Sequence, residues 1–307
     1  MVSLVEGYLA LRRKLGAALE IEGRQLLGFA RYADGIGHRG PITTDLAISW
    51  AKLPALASPL YWARRLDIVR RFARHRLPYD PQTQVPPEGI LGPSYRRKHP
   101  YIYSEEEIGA LIGAATKLSP PDGLRPYTYA TLLGLLASTG LRIGEALRLT
   151  RGDVDFTTGL LRVSETKFHK SRLVPLHPST TKALLAYAQK RDCQPGLAGT
   201  KAFFPSDLAT SLKYDQVRST FACIRQRLGW ASGQARRPPR LHDLRHTFAC
   251  RRLLTWYREG VPLDHKVPAL STYLGHVGVI TTYWYFTAVP DLMAAAAERF
   301  ERYAGGR

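Results

Sequence analysis

Cysteine is scarce in this chain: there are three, Cys193, Cys223 and Cys250, odd in number, widely spaced and without a CxxC pair. That spacing excludes a disulfide framework and a zinc finger, and leaves the thiols to be read as reduced core residues. Long apolar runs are also missing. The longest, around TYATLLGLLASTG, is too short to cross a bilayer and contains polar residues, so no membrane partner is expected. The opening MVSLVEGYLALRRKLGAALE places charges inside any apolar core a signal peptide would need, and a cytoplasmic location is expected. The chain has neither a GxxxxGK(S/T) phosphate loop nor an HExxH helix, which argues against ATP and zinc chemistry. Acidic side chains are few, and Asp153, Asp155, Glu165 and Asp243 lie among basic neighbours without forming an evident Mg²⁺-binding trio. No metal and no other cofactor is expected.

What the chain has instead is positive charge. Lysine and arginine number 44 against 25 acidic residues, a formal net charge of +19 distributed through both parts of the chain. Such a balance suits a polyanion, with nucleic acid the leading partner and mere solubility the plainer alternative. With 307 residues and 45% hydrophobic content, the chain is long enough for two cores.

The composition changes between Leu77 and Pro100, where LPYDPQTQVPPEGILGPSYRRKHP carries six prolines. Proline at that density favours extended backbone, so residues 81–100 read as a linker able to pass round a duplex. Arg96, Arg97 and Lys98 at its end read either as solvated charges or as phosphate contacts. Residues 1–80 read as a compact helical DNA-binding domain, with helices near 3–20, 22–34, a short one after PITTDLA, and 59–77. Thr43 or Thr44 would cap the short helix. In the last helix Trp62, Leu66, Val69 and Ala73 share one stripe, expected in the core. Arg64, Arg71 and His75 lie opposite, with Arg70 and Arg74 flanking. Only Asp67 interrupts six arginines there, so Arg64, Arg71 and Arg74 are candidate DNA contacts.

Residues 101–307 read as a second, catalytic domain. Ser104 and Glu107 form a capping box at the start of a helix. An apolar helix follows from about Arg125 to Thr139, then a turn at Gly140 and the short helix IGEALRL. GLLRVSETKFHKSRLVPL alternates as a β-hairpin with its tip near residues 166–171. Helices are expected near 178–191, 213–229, 242–257, 267–275 and 290–303. The fold class is therefore mainly α with one small β-sheet.

Four segments concentrate cationic and phenolic groups: TGLRIGEALRL, TKFHKSRLVPL, LHDLRHTFA and YLGHVGVITTYWYF. Their motifs are T-G-L-R-x-x-E, T-K-x-x-K-x-R-x-V-P-L, H-x-x-R-H, and L-G-H followed nine residues later by tyrosine. In these motifs and their order, residues 100–300 resemble the tyrosine recombinase, or phage integrase, family. The resemblance implies a helical core-binding bundle followed by an α+β catalytic domain. It implies a catalytic set of Arg142, Lys167, His242, Arg245, His276 and Tyr285, with Glu145 orienting an arginine. His246 is read either as a supporting group or as a packed core histidine. Family spacing from His276 selects Tyr285 over Tyr283 as nucleophile, and Tyr283 and Trp284 are expected to pack the segment into the domain.

The residue types suit that chemistry. Breaking a phosphodiester without a metal needs a nucleophile, cations at the nonbridging oxygens, and an acid for the leaving oxygen. Arginine's planar fork suits phosphate and keeps its charge, which fits Arg142 and Arg245. Lys167, at a hairpin tip, can release a proton to the departing 5′ oxygen. His242, three residues before Arg245, is the expected acceptor of the tyrosine proton. The resemblance further implies site-specific cutting and rejoining of double-stranded DNA recombination sites. It implies strand exchange through a Holliday junction in a tetramer of this chain or of related recombinase subunits, and a nucleoid-associated state when bound to DNA. The segment PDLMAAAAERFERY would dock either on a neighbouring subunit or on its own. A type IB topoisomerase, which rejoins the same strand, and a catalytically silent DNA-binding architectural protein are the alternatives.

Overall fold

In the computed structural model the described residues are 1–95, 99–164, 171–197, 199–230 and 238–288, together with positions 293, 294, 297 and 301. The chain divides into two compact units, Met1–Lys98 and His99–Arg307.

The first unit contains α1 (Val2–Lys14), α2 (Glu20–Gly35), α3 (Thr44–Lys52) and α4 (Pro59–Arg76). Thr43 caps α3, its hydroxyl accepting from Leu46 N at 3.2 Å, and Ser58 caps α4 ahead of Pro59 at the first helical position. Val5, Leu9, Leu26, Phe29, Trp50, Leu66, Val69 and Phe72 make the core. Trp62, expected there, is only half-buried. It lies toward the turn after α3 and donates its indole N–H to Pro54 O at 2.9 Å, a position that lets its one polar atom be satisfied. Trp50 is the core tryptophan, edge-on to Phe29 and covered by the Arg65 guanidinium 3.8 Å from its ring centroid.

The proline-rich segment departs from the expected linker. Up to residue 95 it lies against this bundle. Val85 and Leu91 pack on the core, and Gln84 N donates to Ile42 O at 2.8 Å. Arg70, expected on the flank of the basic face, is buried and donates to Pro86 O and Pro87 O, each at 2.8 Å, and to Asp67 at 2.7 Å. A buried guanidinium with five donors can hold two carbonyls at once, and here it satisfies those of Pro86 and Pro87.

The second unit opens with α5 (Glu105–Ala115), entered through the Ser104–Glu107 capping box. The apolar α6 (Leu124–Thr139) packs among α5, α8 (Pro178–Asp192) and α10 (Leu241–Arg258). Between them come α7 (Ile143–Arg148) and an antiparallel sheet of β1 (Val154–Asp155), β2 (Leu160–Val163) and β3 (Arg172–Pro175), with Leu161 opposite Val174 and Val163 opposite Arg172. Then follow α9 (Tyr214–Arg227), α11 (Leu263–Leu274) and α12 (Ile280–Ala288). The helix α12 was not expected. Its sequence is apolar around most of its circumference and rich in β-branched residues, so no amphipathic stripe announces it. Ala249, Leu253, Val267, Leu270, Leu274 and Tyr285 form a core shared by α10, α11 and α12. Of the cysteines only Cys250 is buried; Cys193 and Cys223 are exposed, on the end of α8 and the outer side of α9, and all three are free. Arg96, Arg97, Lys98, Lys167 and the helix expected near 290–303, apart from isolated positions, lie outside the described residues.

Candidate active site

The site is built on the C-terminal end of α11. A helix ends with carbonyls that lack an intrahelical partner and carry the negative end of its dipole. Here three successive carbonyls each accept from an arginine on a different element. Arg172 Nε donates to Tyr273 O at 2.7 Å, Arg245 Nη2 to Leu274 O at 2.7 Å, and Arg142 Nη2 to Gly275 O at 2.9 Å. Gly275 makes this approach possible. It holds a left-handed φ of 67°, and a Cβ there would lie 2.7 Å from Arg172 Nη1.

Each arginine is placed by local structure. Arg142 is the N-cap of α7, and its backbone N–H donates to the Glu145 carboxylate at 3.0 Å. Arg245 sits on α10, whose first turn is held by buried Asp243 accepting Arg240 N at 2.8 Å, while Leu241 and Leu244 pack inward. Its other nitrogen, Nη1, reaches Gly140 O at 2.8 Å, at the left-handed residue that ends α6. Arg172 begins β3.

Glu145 joins two of them. Its carboxylate, 3% exposed, accepts Arg142 Nη1 at 2.8 Å and Arg172 Nη1 and Nη2 at 3.2 and 2.9 Å. Burial pushes the carboxyl upward in pKa, but Arg172 and then Arg142 outweigh it and hold it down at about 2. Burial, and next the Arg142 charge, lowers Arg245 to about 10, so it stays cationic at neutral pH.

Tyr285 enters from α12 with its side chain buried. Its hydroxyl lies 3.2 Å from His246 Nδ1, and its ring faces that of His276 at 6.2 Å. Burial raises the phenol pKa, and the Arg245 charge opposes the rise. Tyr283, two residues earlier on the helix, is exposed and leans on Phe286. His276 Nδ1 pairs with the hydroxyl of buried Thr282 at 2.7 Å. Loss of solvation, with arginine charges second, lowers His276 to about 3. His242 is lowered to about 4, first by the crowding of its ring and then by Arg245, although the residue as a whole reaches solvent. His246 is lowered to about 3, by burial first and His242 second. All three imidazoles are therefore neutral at pH 7 and gain affinity for a proton when an anion approaches.

Arg142, Glu145, His242, Arg245, His246, His276 and Tyr285 thus come together around one helix end. Lys167 falls in residues 165–170, between β2 and β3 in sequence and outside the described residues. The imidazole hydrogen-bonded to the phenol is His246, where His242 was expected, because α12 lies against the second turn of α10. Sequence reasoning missed Arg172 and Thr282. Arg172 was legible as the arginine of T-K-x-x-K-x-R-x-V-P-L, whereas Thr282 carried no signal of its own. In the first unit Arg64, Arg71 and Arg74 are all exposed on α4. Arg64 donates to Ser94 O at 3.1 Å, Arg71 to Asp67 at 2.5 Å, and Arg74 lies 3.6 Å from Glu88.

The sequence pattern of the phage integrase family matches residues 103–290. "Putative integrase/recombinase y4rB" of Sinorhizobium fredii is 42% identical over 303 residues, covering 97% of this chain and 96% of its own. The tyrosine recombinase XerD of Bradyrhizobium diazoefficiens is 30% identical over 240 residues, 75% of this chain and 72% of its own. Among solved structures, the Tn1549 transposon integrase in complex with transposon right end DNA superposes with a TM-score of 0.70 at 16% identity, over 97% of this chain and 99% of that one. At that identity the likeness is one of fold.

Proposed function

This chain belongs to the phage integrase family of tyrosine recombinases, and on that premise we propose that it is a site-specific DNA recombinase working through a 3′-phosphotyrosyl intermediate. The observation that carries the reading is the position of the Tyr285 hydroxyl, buried beside His246 and His276 and within the field of Arg245 and Arg142. A phosphodiester seated there would meet the nucleophile and the cations at one point.

In the proposed reaction the Tyr285 oxygen attacks phosphorus, the bond to the 5′ oxygen breaks, and Lys167 supplies that oxygen with a proton. Arg142, Arg245 and His276 stabilise the charge that grows on the nonbridging oxygens. Arg142 has the most open guanidinium of the three arginines, with a side-chain exposure of 32%, and is placed to meet phosphate first. The covalent link keeps the energy of the broken bond, so a 5′ hydroxyl from a second duplex can displace the tyrosine without ATP. Strand exchange of this kind needs several active sites on one DNA assembly, which supports a tetramer and a Holliday junction. The exposed arginines of α4, Arg64, Arg71 and Arg74, are proposed phosphate contacts that add affinity without reading bases.

The test is a suicide substrate nicked beside the cleavage position, on which the wild-type chain should accumulate a denaturation-resistant adduct. Tyr285→Phe removes only the attacking oxygen and should form none while retaining DNA affinity. Tyr283→Phe should still form it. Loss of the adduct with Tyr283→Phe and its survival in Tyr285→Phe would move the nucleophile by two residues.

A further inference from the structure

Attack by Tyr285 requires that its proton go somewhere, and burial leaves few destinations. The side chain is 2% exposed, so bulk water has little access to the hydroxyl. The arginines around it are already protonated, and His276 turns its Nδ1 to Thr282. The ring nitrogen in hydrogen-bonding range of the phenol oxygen is His246 Nδ1, at 3.2 Å. His246 is also held in place. Its ring packs at 4.6 Å against His242 in an edge-on arrangement and at 5.6 Å against both Trp284 and Tyr285, so α10 and α12 fix it from two sides. His242 stands one helical turn earlier on the same face of α10, on a residue open to solvent.

We propose that His246 Nδ1 is the catalytic base that accepts the Tyr285 proton during cleavage and returns it during rejoining, a role that rests on the phosphotyrosyl reading above. The balance closes within the site. In cleavage the phenol O–H breaks and an Nδ1–H bond forms as the Tyr285 oxygen bonds to phosphorus, while the 5′ oxygen leaves with the proton from Lys167. In rejoining the 5′ hydroxyl attacks phosphorus and gives its proton back to Lys167, and the departing phenolate recovers its own from the His246 imidazolium. No outside acid, base or oxidant is consumed. In the free protein His246 is a neutral acceptor and the phenol a poor acid, so the proton stays on oxygen. Bond formation to phosphorus makes the aryl oxygen strongly acidic, and the phosphate charge favours an imidazolium beside it. Transfer is thereby tied to arrival of substrate.

The experiment combines two substitutions with a more acidic nucleophile in the full-length chain. His246→Asn places an amide where Nδ1 stands, keeping a hydrogen bond to the phenol while removing the base. Adduct formation on the nicked substrate should slow by about 10²–10⁴-fold, the usual contribution of general base catalysis. Replacing Tyr285 by a trifluorotyrosine, whose phenol ionises far more readily, should shrink that loss by more than about tenfold, because an acidic nucleophile depends less on a base. The loss in His242→Asn should not shrink. Relief that follows His242→Asn instead would hand the role to His242, and equal loss with either phenol would reduce His246 to packing; both overturn the proposal. Where His246→Asn fails to melt cooperatively, His246→Gln is read against the same criteria. Absence of a wild-type adduct would sink the phosphotyrosyl reading itself, an outcome separate from any pattern among the histidine variants.

Discussion

Arg172→Ala tests whether the buried charge cluster organises the site. Arg172 is 11% exposed and makes both its charge pairing and its carbonyl contact inside the protein: two bonds to Glu145 and one to Tyr273 O. Two routes give the size of the effect. Removing one partner of a buried ion pair costs about 3–5 kcal/mol, because the other charge stays buried. Independently, Glu145 is held at about 2 against an ordinary 4.5, which at about 1.36 kcal/mol per pH unit amounts to about 3 kcal/mol of stability. The sign follows from the lowered value. That stability is fully present above pH 4.5 and is lost as pH falls toward 2, since the unfolded chain takes up the proton first. Arg172→Ala should therefore be less stable than wild type by about 3 kcal/mol at pH 7, and the gap should close below pH 4.5, where the variant's Glu145 becomes protonated. The lowered histidines His242 and His246 add an acid-dependent loss beginning near pH 6.5 that is common to both proteins and cancels in the difference. His276 adds a similar loss, of which only the part owed to the Arg172 charge, a smaller cause than burial, Arg245 and Arg142, differs between them. Urea unfolding of the full chain at several pH values, with hydrogen exchange of α7 and α11 peptides identifying the second unit's transition, measures this. A loss below about 1 kcal/mol, or a gap that stays constant down to pH 3, would refute the argument.

Gly275→Ala should disturb the same cluster from the other side. Its Cβ would meet Arg172 Nη1 at 2.7 Å on a backbone at φ 67°, and the left-handed conformation alone costs about 1–2 kcal/mol. Combined with Arg172→Ala the two losses should fall short of additive, since the clash disappears with the guanidinium; strict additivity in a double-mutant cycle would contradict the shared contact. Lys167→Ala should bind DNA and lose most cleavage. A substrate with sulfur at the 5′ leaving position, which departs without a proton, should restore it, and failure of that rescue would give Lys167 a positioning role.

The chemistry of this protein is legible in its sequence to the extent that chemistry depends on residue type and local spacing. The capping box at Ser104 and Glu107, the glycine that ends α6, and the i,i+3 pairing of His242 with Arg245 are short-range facts, and periodicity places the helices that carry them. Motif order singles out Tyr285 among sixteen tyrosines as the proposed nucleophile. Other features are set by distance through space. Residues 81–95 look like a linker because six prolines between Leu77 and Pro100 exclude regular structure, yet Arg70 on α4 clasps their carbonyls, a contact between positions that no local pattern links. The helix α12 has no amphipathic stripe to read, and forms where α10 and α11 supply an apolar seat. Its placement brings the Tyr285 hydroxyl to His246, 39 positions away in the chain, while His242 stays one turn farther along α10. A histidine's sequence neighbours say which helix face it occupies; which ring meets the phenol is decided by how two helices dock, and docking is a property of the packed core.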